Sequence, residues 1–231
     1  MMPRPAPTPH ESPTPPSGDT KQRILDAAEN LFADQGVGAT SLRAIIAAAG
    51  VNSAAIHYHF GSKAGLIEAL FARRITPINE ERLTRLDRLE RAAKLDHESL
   101  LRAFLEPMLS GSGPLCTQGR VARAALGRLL TEEPQSFRLL AEEHVREVKS
   151  RFAQAVANTS AGVGVEEATE RIEYAMGAML HVFARPALGP GESPDRDIVH
   201  HRMQRMIRFL AAGLAVAADP SLRAPRTRLS A

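Results

Sequence analysis

The side chains with chemistry to offer fall into three groups. His57 and His59 form one close pair and His200 and His201 another, in a chain that carries 26 acidic residues. Neither pair has the i, i+4 spacing by which one helix face presents two imidazoles to zinc, and no phosphate loop or nucleophile elbow occurs. Catalysis, a metal site and a cofactor are therefore not expected. Cys116 is the single cysteine and has no basic neighbour nearer than Arg120 to stabilise a thiolate, so a redox switch is not expected either. A lone cysteine forms no internal disulfide. That fits a cytoplasmic location, although a secreted chain with one cysteine would read the same. The third group lies between Thr40 and Lys63: hydroxyls, small side chains, an amide, an imidazole, a phenol and two cations, which is the chemistry that meets phosphates and base edges.

These residues need elements to hold them. From Thr20, Ile24, Ala28, Leu31 and Phe32 recur at helical spacing until Gly36 and Gly38 end the run. Thr40 and Ser41 can cap a short second helix carrying Leu42, Ile45, Ile46 and Ala49, which stops at Gly50, suited to the left-handed position after a helix. After the turn Gly50-Val51-Asn52, either Asn52 or Ser53 can cap a third helix through His59, with Ile56 and Phe60 inward. Gly61-Ser62 then breaks the chain before a fourth helix from Lys63. Two short helices across a tight glycine turn are how a helix-turn-helix places its second helix in the major groove, though the same unit also occurs as a purely structural tri-helix.

On that geometry the roles divide. Thr40 and Ser41, at a helix start with free N–H groups, are expected to meet one phosphate and Lys63 another. Arg43 reaches a phosphate or a guanine. Asn52, Ser53, Ala54 and Ala55 lie at the start of the recognition helix, where small side chains allow close approach and alanine can touch thymine methyls. His57 and Tyr58 are phosphate or base candidates, His59 less so, and Tyr58 could instead be a partly buried core aromatic.

Composition bounds the rest. Aromatics make up 4% of the chain, tryptophan is absent and apolar residues make up 44%, with alanine and leucine abundant, so helix formers dominate and an all-α fold is expected. A net charge of +3 is compatible with nucleic-acid binding but does not by itself indicate it. No apolar run is long enough to span a bilayer. Seven prolines between Pro3 and Pro16 predict a disordered tail.

Farther along, Leu100, Leu101, Phe104, Leu105 and Met108 mark one helix, and Val121, Ala125, Leu126, Leu129 and Leu130 another. Pro134 opens a third, to about Asn158. The helix from about Glu166 to Ala184 carries a stripe of Ile172, Met176, Met179, Leu180 and Phe183, with Ala175, Ala178 and Val182 as a second apolar face. The final helix, from about Asp195 to Ala218, joins Val199, Met203, Met206, Ile207, Leu210 and Leu214 to Phe209, Ala212, Gly213 and Val216. A helix apolar on two sides needs two partners. One is the subunit core; the other is a second subunit or further helices of the same chain.

The run from Lys21 through Phe71 (KQRILDAAENLFADQGVGATSLRAIIAAAGVNSAAIHYHFGSKAGLIEALF) resembles the N-terminal domain of TetR/AcrR repressors in its ILDAAENLFADQG helix, its AGV turn and its HFGSK junction. AAIHYHFGSK and LRAFLEPML are similar to the branch with a PsrA-type C-terminal domain. Two positions depart: Ile46 stands where alanine is frequent at the inner position, and His57 where tyrosine is usual.

The resemblance implies a three-helix helix-turn-helix domain followed by a helical ligand-binding and dimerisation domain. The expected division is a Pro-rich tail over 1–19, the DNA-binding domain over 20–80, the C-terminal domain over 81–220 and a flexible tail over 221–231. It also implies a homodimer on double-stranded operator DNA, acting as a repressor that a small effector releases. A DNA-binding activator and a structural helical dimer without a ligand are the alternatives. Phe104, Met108, Leu126, Leu129, Met176, Met179 and Phe183 are the candidate lining for a hydrophobic effector, each equally an ordinary core residue.

Overall fold

A computed structural model describes residues 17–109, 119–132, 135–184, 196–219 and 221. Among them the chain is all-α, as expected, with nine helices: α1 Ser17–Gln35, α2 Leu42–Ala49, α3 Ser53–Phe60, α4 Lys63–Arg91, α5 His97–Leu109, α6 Gly119–Glu132, α7 Gln135–Thr159, α8 Val165–Ala184 and α9 Arg196–Leu214. The Pro-rich expectation over 1–16, the redox reading of Cys116 and nearly all of the proposed C-terminal tail lie outside the described residues.

Three boundaries differ from those read off the sequence. Residues 17–19, assigned to the tail, form the first turn of α1, where Asp19 complements the positive end of the helix dipole. The domain boundary at residue 80 falls inside α4, which runs unbroken for 29 residues with Pro77 inside it. The last helix ends at Leu214 rather than Ala218. Its terminal carbonyls are taken from outside: Arg171 Nη1 donates to Leu214 O at 2.8 Å and to Val216 O at 2.7 Å, and Ser160 Oγ donates to Leu214 O at 3.3 Å.

The N-terminal helices close over Ile24, Ala28, Phe32, Ile45, Ile56 and Leu66, all fully buried. α4 then carries the chain into the second layer, packing on α5 and α7, while α6 lies along α1 and α8 lies on α7. Ion pairs follow α4 along its length: Arg85 joins Glu106 of α5 at 2.9 Å, and Arg151 of α7 joins Asp87 at 2.9 Å.

The tightest of these contacts is buried. Glu29 of α1 is 6% exposed and Arg74 of α4 is 7% exposed. Arg74 grips Glu29 bidentately, with Nε donating to Oε1 at 2.5 Å and Nη2 donating to Oε2. Arg73 adds Nη2 to the same Oε2 at 3.0 Å and gives Nη1 to Asp26 at 2.6 Å. Removing one partner of such a pair leaves a buried charge uncompensated. Glu29→Gln is therefore expected to lower the unfolding free energy by about 3–5 kcal/mol in urea titration. A loss below about 1 kcal/mol would mean that the pair counts for no more than a surface one.

Candidate nucleic-acid interface

Each short helix is fixed at its start by a side chain the sequence supplies there. Ser41 Oγ accepts from Ala44 N–H at 3.1 Å, Asn52 Oδ1 from Ala55 N–H at 2.9 Å, and Ser62 Oγ from Gly65 N–H at 3.1 Å. Asn52, not Ser53, is thus the cap of α3. Gly50 closes α2 at φ 61° and ψ 42°, the left-handed region where a side chain is strained. The first α2 carbonyls past its last turn are claimed from α1, where Arg23 Nη2 donates to Ala49 O at 2.6 Å and Gly50 O at 3.0 Å. Arg23 escaped the sequence reading because nothing local marks it: its partners are 26 and 27 positions away.

These contacts sort the candidate residues. Arg43, Ser41, Asn52, Ser53, Ala54, His57 and Tyr58 are exposed, and Ala55 is half-buried, while Ile56 pins the opposite side of α3 in the core. Tyr58 is 83% exposed, which sets aside the alternative of a partly buried core aromatic; its ring meets the edge of His59, at 5.0 Å.

Thr40 is also corrected. It is 1% exposed and its hydroxyl donates to Gly36 O at 2.7 Å, so its side chain braces the loop before α2 and is not available to a phosphate. Lys63 is half-buried and gives Nζ to Val37 O at 2.7 Å, tying the start of α4 to that same loop. His57 Nδ1 sits 3.1 Å from Gly61 O. A carbonyl only accepts, so this nitrogen carries the proton and Nε2 of a neutral ring is left as an acceptor. Donation from Nε2 to a phosphate requires the imidazolium. Ile45, fully buried, holds the inner position of α2, and Ile46 is only partly covered, so the inner residue is one position earlier than the sequence reading placed it.

In the second layer, Phe104, Met108, Leu126, Leu129 and Met179 are buried in one cluster, with Met176 packed against it. The Phe183 side chain lies outside the described residues. At the centre is a residue that the sequence reading missed, Arg82 of α4, which is 2% exposed. Its Nε donates to Phe104 O at 2.8 Å, its Nη1 to Asn79 Oδ1 at 3.1 Å, and its guanidinium lies 4.5 Å from the Phe104 ring centre. Burial lowers its pKa to about 10.

α8 and α9 each keep an uncovered side. On α8 the inward face is Ala168, Ile172, Ala175 and Met179, so Ala175 faces the core rather than the second face, and Tyr174 stands out at 67% exposure. On α9 Met203, Ile207 and Leu214 are buried, and Phe209, 78% exposed, Ala212 and Gly213 are open, as is Val216 just past its end. Among the described residues no helix is long and apolar enough to cross a membrane, and no group of three metal-ligating side chains converges.

Residues 24–70 match the family model described as bacterial regulatory proteins, tetR family, and residues 102–213 match that of the tetracyclin repressor-like C-terminal domain. The HTH-type transcriptional regulator AcrR of Shigella flexneri is 38% identical over 96 residues, 41% of this chain and 42% of the relative. The chain thus matches less than half of that relative's length. NalD of Pseudomonas aeruginosa, described as the secondary repressor of the MexAB-OprM multidrug efflux pump, superposes with a TM-score of 0.57 at 28% identity over 84% of this chain and 97% of NalD. The fatty acid degradation regulator FadR of Bacillus halodurans shares the fold, with a TM-score of 0.62 at 14% identity over 88% of this chain and 98% of FadR.

The junction between α3 and α4 depends on a close approach that only glycine permits. A Cβ on Gly65 would lie 2.2 Å from the Phe60 carbonyl oxygen, a backbone atom with nowhere to retreat. Gly65→Ala is expected to destabilise the chain by about 1–3 kcal/mol, as overpacking does. Gly38→Ala, whose Cβ would meet nothing within 4 Å, should stay within about 0.5 kcal/mol. Parallel urea titrations check both; equal values would remove the steric account of the junction.

Proposed function

Because the chain belongs to the TetR/AcrR family of bacterial transcriptional regulators, we propose that it binds operator DNA as a homodimer and represses transcription until a small apolar-bodied effector releases it. The observation that carries the DNA-binding reading is the presentation of α3. Its inner residue Ile56 is fully buried and its start is capped, while Ser53, Ala54 and the 83%-exposed Tyr58 face outward.

Ser41 and the free N–H groups of α2 position one phosphate, Arg43 meets a phosphate or a guanine, and Lys63 reaches the backbone from the start of α4 with the two Nζ donors not engaged by Val37 O. Asn52, Ser53, Ala54, Ala55 and Tyr58 read base edges or their flanking phosphates. His57 adds a contact in its imidazolium form. A regulator of this kind works where the chromosome is, in the cytoplasm.

Repression is favoured over activation by the company the chain keeps: NalD and the Brucella suis relative BepR are both described as repressors. Dimerisation is favoured by the exposed apolar sides of α8 and α9. Two copies joined there would set two α3 helices against half-sites about 34–36 Å apart, and a small change in that spacing breaks simultaneous contact.

Two measurements test the reading. Labelled DNA from upstream of the chain's own gene should be bound selectively, with Arg43→Ala weakening binding and, where Arg43 meets a phosphate, reducing the slope of log K against log salt by about 1. Absence of selective binding there at every salt concentration, and in a genome-wide selection, would reduce the helix-turn-helix to a structural unit. In sedimentation, Phe209→Glu should shift a dimer toward monomer with the fold intact by circular dichroism; an unchanged dimer would place the interface elsewhere.

A further inference from the structure

α4 carries two buried arginines with opposite surroundings. Arg74 lies against the Glu29 carboxylate. Arg82, two turns farther along, has no carboxylate partner among the described residues, and burial lowers its pKa. Its neutral acceptors are the Phe104 carbonyl and the Asn79 amide oxygen. Among the described residues Nη2 faces two thioethers, Met108 Sδ at 3.9 Å and Met179 Sδ at 3.8 Å.

A thioether is a weak acceptor for a guanidinium, and a buried cation without a counter-charge is an arrangement proteins otherwise avoid. Methionine is also the apolar side chain that yields most readily, having three rotatable bonds and no branch. One terminal nitrogen of a buried guanidinium thus faces two movable, weakly held neighbours.

We propose that Arg82 is the anion receptor of an effector site inside the C-terminal layer, and that its ligand is a small amphipathic carboxylate. The head group takes the place of the Met108 and Met179 sulfurs at Nη2, and the apolar body lies against the surrounding methionine and aromatic side chains. The inference rests on the reading of that layer as the sensor domain and names the chemistry of what it senses. Its position supplies a route to the DNA. Arg82 stands nineteen residues beyond Lys63 on the same unbroken helix, about 28 Å along its axis. A head group drawn to Arg82 therefore acts on the element whose other end abuts α3.

The test is isothermal titration of the full chain with straight-chain carboxylates from hexanoate to hexadecanoate and with benzoate, each below its aggregation concentration and each against the matching alcohol. At least one carboxylate should bind one site per chain, about tenfold or more tighter than its alcohol. Arg82→Met should bring the two affinities together. That variant removes a buried charge while keeping volume, so it is expected to fold, with thermal melting as the check. Arg82→Lys, which keeps the charge and loses the fork, should fall between, and carries the comparison should Arg82→Met not fold.

No binding by any carboxylate, equal binding of acid and alcohol, or undiminished binding by Arg82→Met would each overturn the proposal. Release of the bound DNA fragment is followed in parallel. Carboxylate binding that depends on Arg82 but leaves DNA affinity unchanged keeps the anion site and removes the sensor reading. Release by acid and alcohol alike keeps the sensor reading and removes Arg82 from it.

Discussion

The contact on which the remaining geometry depends is the buried clasp of Glu29 by Arg73 and Arg74, because it fixes α1 to α4. An ion pair hidden from water gives little net stability compared with an apolar pair of the same size, since both charges must be desolvated. What it gives is a unique register. A bidentate carboxylate and guanidinium tolerate no sliding, whereas the apolar contacts around Phe32, Leu70 and Phe71 would accept several offsets. With that register set, Arg23 on the same α1 meets the end of α2, and Lys63 at the start of α4 meets the loop before it. The helix-turn-helix is held from both sides by elements that are themselves clasped together.

Such bracing is needed because α2 and α3 have eight residues each, too few to be helical alone. α2 is held by buried Ile45 and Ala49, by its caps and by Arg23 on its outgoing carbonyls, and α3 by buried Ile56 and the Asn52 cap. The residues that provide this are largely withdrawn from solvent, and those left outside are small or polar. Holding and reading are thereby assigned to different side chains, although Ser41 and Asn52 retain a share in both because a capping oxygen leaves the rest of the residue exposed.

Local signals were legible in the sequence and distant ones were not. The caps of α2 and α4, the turn at Gly50, the start of α3 and the starts of α7 and α8 follow from residues within a turn or two of the boundary, where the governing physics is local. The length of α4 did not, because Pro77 and a mixed charge pattern weaken its periodicity, and packing against α5 and α7 overrides both. Thr40 was misplaced for a related reason. Threonine at a helix start has two uses, and which one applies depends on whether the preceding loop folds over it. Ala175 turns to the core rather than to the second face, a difference of one position or about 100° of helix rotation, which a run of alanines and methionines does not resolve. Arg23 and Glu29 carry no local mark, since their partners lie more than twenty residues away, and Arg82 has one local partner, Asn79, but is buried by contacts as distant as Phe104.

The two arginines of α4 show how one helix serves both layers. At Arg74 the charge is answered from within the chain, so that end of the joint is complete as folded. At Arg82 the answer is partial: one carbonyl, one amide and a ring face, with sulfur where a carboxylate would be far stronger. On the sensor proposal a helix keyed at Arg74 and under-satisfied at Arg82 would pass a change at the second point to the first as a tilt, with Pro77, which has no N–H for the helix, standing between them. Glu29 lies on α1, and α1 also contacts α6, so any such tilt is opposed or admitted by the packing of the C-terminal layer against the N-terminal one. On the proposed sensor reading, coupling between the layers would run along α4 itself, set by where on that helix the charges are matched and where they are not.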